Sequence, residues 1–136
     1  MKTISLLQPW ASLVVMGVKT IETRSWQTAY RGPLLIHASK GKKGRILCSR
    51  PLISQHIPDF AALPFGAIIG SVMLEAIVPV ETLSLSAAAI AASTLEEKAF
   101  GDDTKGCYAW ILSNPVPIEV PIPAGGTLGL WDYFPQ

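Results

Sequence analysis

The chain has 136 residues, 49% of them hydrophobic and only 15% charged, with a formal charge of +1. That balance excludes a disordered chain, and the length suits a single domain over residues 1–136 with a core of its own. No apolar run reaches the roughly 18 residues of a membrane span, so no membrane partner is expected.

The elements can be taken in chain order. TISLL at 3–7 is β-branched and apolar, which predicts a short strand. The single Lys ahead of it lacks the long apolar stretch and cleavage site of a secretory leader. In QPWASLVVMG, Pro9 suits a first helical turn, and Trp10, Leu13, Val14 and Gly17 fall on one helical stripe. That stripe gives Trp10 a packing role. Gly17 ends the helix, where a left-handed residue is usual.

GVKTIETR at 17–24 therefore leaves a helix and runs into an extended segment. Alternation places Thr20, Glu22, Arg24 and Trp26 on one side and Ile21, Thr23 and Ser25 on the other. With Ile21 inward, Glu22, Arg24 and Trp26 share an open polar face, with Lys19 at the turn before them. As a surface ion-pair cluster these charges contribute only about 0–1 kcal/mol. In a partly dry cleft they suit recognition: Lys and Arg hold phosphate or carbonyl oxygens, and Glu22 accepts from an amino group.

Tyr30 to Pro33 is turn chemistry, and LLIHA at 34–38 is a strand. Residues 39–50 begin as a flexible basic loop carrying Lys40, Lys42, Lys43, Arg45 and Arg50, and a helix is expected over about 45–57. FGAIIGSVMLEAIVPV reads as one long or bent strand, with Gly66 and Gly70 as bulge positions. The Ala-rich run at 84–100 predicts a helix, and 101–106 a loop. CYAWILSN alternates as a strand, and the prolines after it confine further strands to edges. Strands with two or three helices make an α+β or small barrel domain, not a doubly wound parallel sheet.

Charge is divided between the halves. Residues 1–50 hold nine Lys and Arg and one acid, Glu22, whereas residues 51–136 hold two Lys and nine acids. Such asymmetry fits either a basic surface for a polyanion or two halves that interleave. Cys48 and Cys107 form no CxxC pair, and with His37 and His56 they show no metal-ligand spacing. No metal or cofactor is expected, and the thiols fit a reduced, cytoplasmic setting. GKKGR lacks the ending of a P-loop, GxGxxG does not occur, and no GxSxG elbow is present.

Gly17, Lys19, Glu22 and Arg24 match GxKxxExR, inside QPWASL, RSW and RGPLLIHA, with YAWILSNPVPIEVPI later. This pattern resembles the ASCH domain family. The resemblance implies a PUA-like fold, a small β-barrel with two or three flanking helices. It also implies a cleft lined by the motif that takes RNA or another nucleic acid. The expected ligand-contacting set is Gly17, Lys19, Glu22, Arg24, Trp26, Tyr30 and Arg31, with Lys40, Lys42 and Lys43 adding longer-range attraction. A second branch of the family is similar to small amidohydrolases that deacetylate N4-acetylcytidine. Under that alternative, a modified nucleoside is the substrate and Lys19, Glu22 and Glu75 form the site. Glu22 then stands where those enzymes carry a nucleophilic Thr.

Overall fold

The computed structural model describes residues 1–85 and 107–135. β1 (Lys2–Leu6), β2 (Ile21–Arg24), β3 (Gly32–Ala38), β4 (Ala67–Pro79), β5 (Tyr108–Pro123) and β6 (Leu130–Asp132) form one sheet in the order β2-β5-β4-β3-β1-β6. β1 and β3 run parallel, and the other pairs are antiparallel. Two short helices, α1 (Trp10–Val15) and α2 (Pro51–Ser54), flank the sheet with 3₁₀ turns. This is the small PUA-like barrel with flanking helices that the motif pattern implies.

The main core joins Ile4 and Leu6 of β1, Ala11, Val14 and Val15 of α1, and Leu34 and Ile36 of β3 to Val72, Leu74, Trp110 and Leu112. Trp110 is fully buried. A second cluster forms where Leu13, on another side of α1, meets Ile53 and Ile57. α1 has only six residues, too few to stand on propensity, so burial on both sides holds it. Gly17 follows it at φ +81°, the left-handed conformation that ends the helix and turns the chain toward β2.

Three sequence expectations change. The helix expected over 45–57 is split into a 3₁₀ stretch, Lys43–Ser49, and α2. Pro51 has no N–H to continue a helix, and it starts a new one instead. The basic segment expected as a loop is therefore partly helical. Second, the strand after CYAWILSN continues through the prolines to Pro123. Pro115, Pro117, Pro121 and Pro123 all lie beyond Ile111, where pairing with β2 ends and β4 is the remaining described neighbour. A missing N–H is tolerated at such an edge. Third, the pairing of β4 slips around Gly70, as a bulge there requires, whereas Gly66 sits before the strand at φ +65°. The helix and loop expected over 84–106 lie outside the described residues from 86 onward. Among the described residues no helix is long and apolar enough to cross a membrane.

Candidate functional site

β2 forms one end of the sheet, with β5 as its neighbour. Leu112 N–H donates to Thr20 C=O at 2.9 Å on the β5 side. Backbone groups alternate in direction along a strand, so Ile21 C=O and Thr23 N–H point the other way, along the edge that no described strand covers. The motif's own side chains satisfy both. Thr23 N–H donates to Glu22 Oε1 at 3.0 Å, and Lys19 Nζ donates to Ile21 C=O. Lys19 Nζ also lies 3.7 Å from Glu22 Oε1 and 5.9 Å from the centre of the Trp10 ring. Lys19 is only 2% exposed. An ammonium so deep needs a paired carboxylate and hydrogen bonds to offset lost hydration, and this one has both.

The register corrects the expected facing of β2. Glu22 lies opposite Trp110 and Arg24 opposite Tyr108, so both share the core side of the sheet. Ile21, expected inward, is half-buried opposite Ile111. The polar face of the alternating pattern is thus the inner one. Alternation reveals that two faces exist, not which of them is covered.

Arg24 carries this polarity across the barrel. Its Nη2 donates to Ser5 C=O in β1 at 2.8 Å. β5, β4 and β3 stand between β2 and β1 in the sheet, so the bond requires the sheet to curl back on itself. Arg24 Nε is buried with no hydrogen-bond partner among the described residues.

The other expected site residues are distributed around this strand. Trp26 meets Trp110 edge-on at 4.9 Å between ring centres, and its carbonyl accepts from Trp110 Nε1 at 3.3 Å. Tyr30 donates its hydroxyl to Pro33 C=O and packs with Trp26 on the core. Arg31 is exposed, its Nη1 donating to Thr28 C=O and Tyr30 C=O at 2.8 Å each. Gly17 packs on Pro115, where a Cβ would sit 3.1 Å from the proline ring. Glu75 is exposed and accepts from Ser113 Oγ at 2.6 Å. No described hydrogen bond or ion pair joins Glu75 to Lys19 or Glu22.

Lys40, Lys42, Lys43, Arg45 and Arg50 are all exposed. Lys42 Nζ stands 5.1 Å from the centre of the Phe65 ring, and the Lys40 stem lies against Gly66. The described ion pairs are Lys19–Glu22 and those of Lys2 and the N-terminus with Asp132. None of these five cations, nor Arg31, has a described carboxylate within 4.0 Å.

A polar cluster that the sequence reading missed sits on the outer side of β1 and β3. Ser5 Oγ and His37 Nδ1 are 2.9 Å apart, His37 Nε2 is 2.7 Å from Ala124 C=O, and Trp131 Nε1 donates to Ser5 Oγ at 3.1 Å. Gly126 covers the pair so closely that a Cβ there would lie 2.6 Å from Ser5 Oγ. The signal in the sequence was slight: Thr3 and Ser5 alternate with apolar residues in β1, and His37 is the single polar side chain of β3. Both cysteines are free thiols, and burial pushes the Cys48 thiol up. Among the described residues no group of three or more His, Cys, Asp or Glu is placed to hold a metal.

Comparison with known proteins matches these features to one family. The ASCH domain matches residues 4–122. Activating signal cointegrator 1 from Mus musculus is 55% identical over 40 residues, which is 29% of this chain and 7% of that protein. The Homo sapiens protein is 54% identical over 39 residues, again 29% of this chain and 7% of its own length. The chain thus spans a small fraction of those proteins. The crystal structure of an ASCH protein from Zymomonas mobilis superposes with a TM-score of 0.52 at 26% identity, covering 90% of this chain and 72% of that one. A singly substituted form of it gives a TM-score of 0.54 over the same shares.

Proposed function

This chain belongs to the ASCH domain family, and from that premise we propose that it binds single-stranded nucleic acid, RNA in the first place. The observation that carries the reading is the fate of charge in residues 1–50. Their single acid, Glu22, is turned inward against Lys19, and Lys2 faces Asp132. Arg31, Lys40, Lys42, Lys43, Arg45 and Arg50 are left exposed. A surface of that kind attracts phosphates, and release of their counterions drives binding.

In this reading the basic segment holds the backbone electrostatically. The motif strand forms the wall of the cleft that the nucleic acid enters. Arg24 Nε is a buried donor with no partner among the described residues, available to a ligand oxygen, while Lys19 and Glu22 hold the wall in shape. The half-buried Trp26 and Tyr30 complete that wall. The test is an anisotropy titration of short single-stranded RNA at low and moderate salt. Binding that weakens steeply with salt supports the proposal. Absence of binding at either salt contradicts it.

A further inference from the structure

A groove of about 380 Å³ borders α1 and contains no residue of the GxKxxExR motif. Ser12 and Val15 of α1 and Met16 just after it form its floor, residues 56–59 and 62–64 one wall, and Pro117, Ile118 and Pro121 of β5 the other. Its lining is almost wholly apolar. Pro58, Pro64, Pro117 and Pro121 stiffen the walls, so the space is preformed. Met16 lines the groove and is 48% exposed, so part of its apolar surface is open to a ligand.

Two features of the fold identify what fits there. The basic segment borders the groove: Lys40 lies against Gly66 and Lys42 against the Phe65 ring, immediately after Pro64 of the wall. The other end of that segment, Arg50, leads through α2 to His56 and Ile57 of the same wall. The motif adjoins it as well. Met16 of the floor precedes Gly17, and Gly17 packs on Pro115, two residues before Pro117. An apolar slot whose wall runs on from Pro64 into Phe65 and Gly66, where exposed cations with no described carboxylate partner pack, suits a flat, uncharged group carried on an anionic backbone.

The geometry points to this groove as the seat of one unstacked nucleobase of the bound strand, an inference that rests on the nucleic-acid reading above. The rings lie between the proline walls over Val15 and Met16, while the flanking phosphates face Lys40 and Lys42. Asp59 at the rim uses Oδ1 on Ala61 N–H at 3.1 Å. Its second oxygen remains for an exocyclic amine, which favours cytosine or adenine over uracil.

The test uses the whole chain and an oligocytidylate carrying one photoreactive 5-iodocytidine, with crosslinked peptides identified by mass spectrometry. Crosslinks to Met16, to 56–64 or to 117–121 are expected. Replacing groove apolar surface without changing charge, in the double variant Met16→Gln and Ile118→Gln, is expected to weaken binding about tenfold at an unchanged salt slope. Asp59→Asn is expected to remove the preference for oligocytidylate over oligouridylate. Tight, salt-sensitive binding with crosslinks confined to 17–31, or with full affinity in the double variant, overturns the groove assignment and leaves the nucleic-acid reading standing. No binding of either oligonucleotide overturns both.

Discussion

β2 and the basic segment at 40–50 draw on the same residue types and treat them in opposite ways. In β2 and the turn before it the charges point inward: Lys19 is buried, Glu22 faces it, and Arg24 reaches across the barrel to Ser5. In the basic segment the charges point outward and have no described carboxylate partner. The difference teaches that a charged motif and a charged patch do different work. Buried charge fixes one geometry because the alternatives leave an ion unpaired in the interior. Exposed charge contributes little to stability and much to long-range attraction.

Each side of that comparison can be broken separately. The largest effect is expected from Lys19→Met, which keeps volume but strands Glu22 and frees Ile21 C=O. Thermal or urea unfolding is expected to show a loss of about 3–5 kcal/mol. Arg24→Ala removes the bond to Ser5 C=O across the barrel, and a loss of about 1.5–3 kcal/mol is expected, read by the same melt. Gly17→Ala forces a side chain into the left-handed turn against Pro115 and is expected to cost about 1 kcal/mol. The triple change Lys40→Ala, Lys42→Ala and Lys43→Ala is expected to leave stability within about 0.5 kcal/mol while weakening RNA binding. The smallest effect concerns Cys48. Its thiol is raised by burial, so its thiolate fraction near neutral pH falls below that of an open thiol. Alkylation followed by mass spectrometry is expected to be slower at Cys48 than at a model thiol, the gap closing as pH rises through its raised value.

Much of the fold was legible because it rests on local chemistry. Gly17 marks the end of α1, and Gly70 marks the slip in β4, since each position needs what glycine permits. The family motif was legible as a pattern of four residues. Its orientation was not, because alternation is symmetric between faces and only the pairing with β5 puts Glu22 beside Trp110. The split at Pro51 was readable from proline's missing N–H, but the helical composition around it outweighed that signal. Contacts between distant segments had no local trace. Arg24 meets Ser5, and His37 meets Ala124, only after the sheet has curled.

The most direct measurement of the division between the two regions is the salt dependence of RNA affinity for three proteins: the wild type, the triple lysine variant and Lys19→Met, the last held below its melting temperature. The account predicts a slope shallower by about 2 in the triple variant, from three lost phosphate contacts on a single strand. It also predicts an unchanged slope in Lys19→Met, whose lost charge is buried. A triple variant with the wild-type slope, or a Lys19→Met protein that is fully stable but loses salt-sensitive binding, would contradict it.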